Sequence, residues 1–284
     1  MRHALLALLI LVAACSSAAE RVTDGGGTPL ACYIPSDGGV FVSGLPAPVP
    51  GCIADAGPTG ELDLAALGWL RSGGILVVPP EAAAGSAVPV VFVFHGSGGT
   101  GAEARSMFNL EASADAGAIF VYPNAAAQQA WDIRPVSADG RNVDSLIRQL
   151  SQSYCIDPAR IYMAGFSAGA VFTLYLGCNV PVTFRGLASV AGTDDRFDLR
   201  CCQSGISGIF IHGTQDDTIS LAEGQRAVGT TLVRDKCGST AVTDDANCQR
   251  YSGPVPYAVD FCQWNGSHDV PPFAGGEITR FFGL

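Results

Sequence analysis

From about residue 75 onward the chain alternates two kinds of run: short ones apolar at nearly every position, and longer ones apolar on one face only. Residues 75–79, 88–94, 118–122, 160–164, 186–191, 206–211 and 257–261 are of the first kind. A strand covered on both faces of a parallel sheet reads this way, because neither set of alternate side chains meets water. Residues 143–150 are of the second kind. Val143, Leu146, Ile147 and Leu150 recur at i, i+3, i+4 and i+7, and Asp144, Ser145, Arg148 and Gln149 form the wet side of an amphipathic helix. Further helices are predicted directly after Ser167, over 221–232 and over 277–282. This succession predicts a single α/β domain with a mostly parallel, doubly wound sheet. Residues 20–73 break the pattern. They are rich in Gly and Pro and read as a loop-rich, partly β entry segment, with Cys32 and Cys52 placed to staple it.

Composition narrows the class. With 284 residues, 48% hydrophobic and 15% charged, the chain can bury one large core. A formal charge of −10 excludes partners held through phosphates, so no nucleic-acid role is expected. Met1-Arg2-His3 is a short positive leader, and the apolar run over 4–14 is too short to span a bilayer, which needs about 20 residues. Residues 1–19 therefore read as an export signal. Val12-Ala13-Ala14-Cys15 resembles a bacterial lipobox in which Cys15 becomes the lipidated first residue; cleavage after Ala19 is the competing reading. A membrane contact is expected only through such an anchor. Ten cysteines suit an oxidising compartment. Their spacing is not that of a metal site. With Cys15 set aside nine remain, so at least one is unpaired or pairs unusually. The expected divisions are 1–19, 20–73 and a catalytic domain over 74–284.

Candidate chemistry sits at strand ends. Gly165-Phe166-Ser167-Ala168-Gly169 follows one apolar run and opens a helix, the Gly-x-Ser-x-Gly arrangement in which a strained turn presents a nucleophilic serine. His95-Gly96-Ser97-Gly98-Gly99 follows another, and its glycines leave backbone N–H groups open to an approaching oxygen. Past residue 211 come His212, Asp216 and Asp217, and past the last strand comes His268. The chain order is Ser, Asp, His. Strand ends in an open α/β sheet converge on one rim, so Ser97, Ser167, Asp216 and His268 are expected together. Asp217 is a rival for the acid. His95 and His212 are read as loop-fixing, and Asp194-Asp195 as a turn feature.

These stretches, with Val121-Tyr122-Pro123-Asn124, residues 154–160 and Gly266-Ser267-His268, resemble the α/β-hydrolases, and among them the secreted feruloyl esterase and polyhydroxybutyrate depolymerase family. The resemblance covers about residues 75–284. It implies a serine esterase needing no cofactor, with Ser167 as nucleophile, His268 as general base, Asp216 as its orienting acid, and the N–H groups of Ser97 and Ala168 as oxyanion hole. Only a short loop separates residues 191 and 206, so no large lid is expected and the substrate is read as bulky or polymeric: feruloyl or acetyl esters of plant polysaccharide, with a polyester as the alternative. Trp131 and Trp264 are candidates for stacking on it. The remaining rival is a catalytically silent surface-binding lipoprotein. Cys155, Cys178, Cys201 and Cys202 are expected at the face opposite the site, where a bridge such as Cys155–Cys178 is geometrically reasonable but connectivity stays open, and a bridge from Cys262 could brace the His268 loop.

Overall fold

The computed structural model describes residues 57–284 apart from 116, 127–129, 134–136, 180–183, 197–198, 200–201, 203–204, 239, 244–247 and 253–256. Cys15, Cys32, Cys52 and Cys201 lie outside the described residues. The strands are β1 (Gly60–Asp63), β2 (Gly74–Val78), β3 (Val88–Phe94), β4 (Ile119–Pro123), β5 (Ile156–Phe166), β6 (Gly186–Val190), β7 (Ser207–Gly213), β8 (Ala241–Thr243), β9 (Cys248–Ser252) and β10 (Ala258–Trp264). The helices are α1 (Pro80–Ala83), α2 (Gly101–Phe108), α3 (Leu110–Ser113), α4 (Ala138–Ser153), α5 (Ala168–Asn179), α6 (Leu221–Arg234) and α7 (Ala274–Phe282). The strands join in one sheet of order β1-β2-β4-β3-β5-β6-β7-β10-β9-β8.

The middle of that sheet, from β4 to β10, is parallel, and both flanks are antiparallel. The apolar runs account for the parallel part. Every residue of β3, β4, β6 and β7 is buried, because helices cover both faces. Removing each large apolar side chain from water contributes about 1.5–3 kcal/mol. The flanks carry what periodicity did not predict. β1 lies in the segment expected to be loop-rich, and β8 and β9 are short and half-polar, so their patterns lack an unbroken apolar run. In α4 the buried residues include Val143, Leu146, Ile147 and Leu150, as the stripe predicts.

Two disulfides lie among the described residues, Cys178–Cys202 and Cys248–Cys262. The first decides a pairing that spacing left open: Cys178 joins Cys202 rather than Cys155. Helix α5 packs across β5 and β6, which carries Cys178 toward the chain leading into β7 and so to Cys202. Cys155 is held on the other side, its N–H bonded to the Ala82 carbonyl, and is itself disulfide-bonded. The second bridge ties β9 to β10 just before the His268 loop. Cys237 is a free thiol. Among the described residues no helix is long and apolar enough to cross a membrane.

Replacing both Cys178 and Cys202 by Ala should lower unfolding free energy by about 2–4 kcal/mol, read as a lower denaturant midpoint together with a steeper slope, because the unlinked unfolded chain exposes more surface.

Candidate active site

Strand β5 ends at Phe166, and the next residue, Ser167, takes a left-handed backbone with φ 54° before α5 begins. Such a backbone costs an L-residue about 1–2 kcal/mol, so the surroundings must impose it. Ser167 N donates to the Val190 carbonyl (3.0 Å), and Val171 N donates to the Ser167 carbonyl (3.0 Å). The two flanking glycines are steric requirements. A Cβ on Gly165 would run into the Gly169 carbonyl, and one on Gly169 would run into the Phe94 carbonyl at the end of β3. Helix α5 therefore starts pressed against β3, with Ser167 half-buried at its head.

Strands β7 and β10 deliver the partners. His268 Nδ1 lies 2.8 Å from Asp216 Oδ2, and its Nε2 lies 2.8 Å from Ser167 Oγ. A proton on Nδ1 donated to the carboxylate leaves Nε2 as the acceptor of the serine O–H. The Asp216 side chain has no exposed surface, whereas that of His268 is 17% exposed. Burial works to raise the Asp216 pKa. The opposing hydrogen bonds from His268, Ile219 N and Thr218 N (2.9 Å from each amide) outweigh it and hold the carboxyl below its ordinary range. Asp217 is exposed, its carboxylate accepting from the Thr218 hydroxyl at 3.4 Å, so the acid that reaches His268 is Asp216. His212 Nε2 donates to the Ile219 carbonyl at 2.8 Å and stands 3.4 Å from Asp216 Oδ2. It closes the turn whose amides hold Asp216. Asp194 lies elsewhere on the rim, paired with Arg226 at 3.0 Å.

The glycine loop lies against the serine. A Cβ on Gly96 would sit 3.0 Å from the Phe166 ring and 3.5 Å from Ser167 Cβ, so the loop packs closely on the elbow and a larger residue there would need the ring to shift by a few tenths of an ångström. Ser97, next along, is exposed, and Ala168 is half-buried at the head of α5, where the first N–H groups of a helix have no partner within it. His95 anchors the loop from below. Its Nδ1 donates to the Gly96 carbonyl (2.7 Å), its Nε2 accepts from Ala125 N (3.2 Å), and its own carbonyl accepts from Trp131 Nε1 (2.8 Å). Burial, opposed by the Gly96 hydrogen bond, pulls the His95 pKa below the ordinary value.

The two tryptophans take unequal places. The Trp131 ring stacks on Phe172 at 4.9 Å and 8° and meets Phe94 edge-on at 5.1 Å, so it braces the floor of the glycine loop. Trp264 ends β10 half-buried, its ring against Gly266 and its Nε1 buried without a hydrogen-bond partner. Two further supports carried no separate signal in the sequence. Asp139, 2% exposed, accepts from Ala126 N and Asp132 N, both at 2.8 Å, and ties down the loop that holds Trp131. An acid in the first turn of a helix is ordinary, which hid it. Asn124 accepts from Gly101 N at 2.8 Å and fixes the start of α2; only its place after a buried strand marked it.

Residues 131–246, which include Ser167 and Asp216, match the phospholipase/carboxylesterase family. The chain is 26% identical over 205 residues to feruloyl esterase C of Emericella nidulans, a match spanning 66% of this chain and 73% of that protein. It is 28% identical over 137 residues to the bifunctional acetylxylan esterase/xylanase XynS20E of Neocallimastix patriciarum, covering 48% of this chain and 20% of that protein. Its fold matches that of the acetyl xylan esterase from Aspergillus awamori with a TM-score of 0.62, at 17% identity, over 79% of this chain and 99% of that one. The fold is that of the α/β-hydrolases. Within that class the chain is a carboxylesterase-type hydrolase, similar in sequence to the feruloyl esterases.

The lowered pKa of His95 has a sign. An unfolded chain takes up a proton near pH 6.5 that folded His95 refuses, so its contribution to stability is complete above that pH and is lost as pH falls. The His95→Asn protein should show a shallower fall of melting temperature between pH 7.5 and 5 than wild type; parallel curves would contradict this.

Proposed function

We propose that this protein is an exported serine esterase that cleaves feruloyl or acetyl esters carried by plant polysaccharide. The observation that carries the reading is the unbroken hydrogen-bond chain from Asp216 through His268 to Ser167 Oγ. In the proposed reaction Ser167 Oγ attacks the ester carbonyl while its proton passes to His268 Nε2. The Ser97 and Ala168 N–H groups receive the oxyanion; one such donor typically contributes about 3–4 kcal/mol to lowering the barrier. His268 then returns the proton to the leaving alcohol, and a water molecule, activated by the same imidazole, releases the acyl group. Asp216 stays ionised throughout, stabilising the imidazolium from a site that its two backbone amides already hold.

The substrate class rests on the relatives named feruloyl esterase C and acetylxylan esterase. Trp264, at the end of β10 beside the His268 loop, is the better placed of the two tryptophans to meet it, since Trp131 has one face covered by Phe172. Export through residues 1–19, with Cys15 as lipid anchor and a catalytic domain expected over 74–284 that β1 extends back to Gly60, completes the reading, and the disulfides among the described residues suit an oxidising destination.

Ser167→Ala should lower kcat for methyl ferulate by about 10⁵–10⁶ and Asp216→Asn by about 10⁴, both with a native unfolding profile. Turnover that survives the Ser167 substitution would remove the mechanism. Cys15→Ser should move the protein from the membrane fraction to the soluble one.

A further inference from the structure

The antiparallel flank of the sheet encloses a second feature on the rim that carries Ser167. Asp63 ends β1, Gly74 opens β2, and Gly74 pairs with Pro123 at the end of β4, so all three lie where the parallel strands terminate. Between them and the head of α2 is a cavity of about 630 Å3. Its α2 wall is Thr100 and Ala102, directly downstream of the glycine loop. Strand β2 is three strand spacings from β5, about 15 Å at about 4.8 Å each.

The wall is built in advance. Asn124 accepts from Gly101 N (2.8 Å) and donates to the Ser72 carbonyl (2.9 Å), while the Ser72 hydroxyl donates to the Asn124 carbonyl (2.8 Å). Three segments are thereby locked together before any ligand arrives, which lowers the cost of binding one. Apolar surface makes up somewhat more of the lining than polar surface does, and the polar part is carried by a few side chains. Asp63 is exposed, one carboxylate oxygen accepting from Ala65 N at 2.8 Å, and Arg71 is exposed with no ion pair among the described residues. The Thr100 hydroxyl is taken up in capping α2, donating to the Glu103 carboxylate and accepting from Glu103 N, which leaves a carboxylate and a guanidinium lining one space, an acceptor and a donor set that match the adjacent hydroxyls of a sugar, each of which both donates and accepts. Glu61 is already paired with Arg105 at 2.7 Å and Asp63 balances Arg71, so the lining offers an anionic sugar no net positive charge.

We propose that this cavity is a glycan subsite, binding neutral sugar residues of the polysaccharide whose ester is cleaved at Ser167; the proposal rests on the esterase reading above. Its distance from Ser167 then makes the enzyme prefer an ester mounted on an oligosaccharide to the same ester on a small alcohol.

The test separates the two readings. In the Ser167→Ala protein, calorimetric titration with an unesterified neutral xylo-oligosaccharide should give saturable binding that Asp63→Ala and Arg71→Ala each weaken about tenfold, the scale of one hydrogen bond to a charged group. In the Ser167 protein the same substitutions should lower, about tenfold, the ratio of kcat/KM on a feruloylated xylo-oligosaccharide to kcat/KM on methyl ferulate. Binding absent or unchanged by both substitutions overturns the subsite, as does an unchanged ratio. Tighter binding of a glucuronic-acid-bearing oligosaccharide overturns its assignment to neutral sugars. If wild type binds the oligosaccharide yet leaves methyl ferulate intact, the esterase reading fails while the subsite stands.

Discussion

The steric squeeze at Ser167 governs the arrangement. A left-handed serine between two glycines is held because α5 starts hard against the carbonyls that end β3. No larger residue at 165 or 169 keeps that approach, and without it the helix head and the glycine loop separate. The cost of the strained backbone, about 1–2 kcal/mol, is small beside the burial of the strands that impose it.

Polar atoms around the elbow are set in two layers. The inner one is the Asp216–His268–Ser167 chain, whose carboxylate remains ionised despite burial because three donors face it. The outer one fixes backbone: His212 closes the turn that presents those donors, His95 and Trp131 hold the glycine loop from below, and Asp139 holds the loop of Trp131. Each outer group is buried or half-buried; His95, Trp131 and Asp139 have their side-chain hydrogen-bonding atoms used, and His212 its Nε2. Buried polar groups left unpaired cost about 1–3 kcal/mol, so the layer specifies one loop geometry over its alternatives.

The antiparallel flank adds a different property. Its strands are short and partly polar, and they extend the rim sideways from the elbow into a space lined by both polar and apolar groups. A parallel sheet alone ends in a crevice between loops. Adding β2 and β1 lengthens that crevice.

The parallel strands, the α4 stripe and the chain order serine, acid, histidine were legible from residues alone, since burial on both faces leaves an unbroken apolar run and a strand end is a local feature. The carboxylate facing His268 was not: Asp216 and Asp217 are neighbours with the same chemistry, and only the turn through Thr218 and Ile219 decides which one points inward. The partner of Cys178 was likewise undecided, because the path of α5 across β6 sets it rather than spacing along the chain. The same holds for Asp139, Asn124 and the cavity beside α2. They are made by contacts between segments distant in sequence, each of which looks like an ordinary loop or helix start until the sheet brings them together.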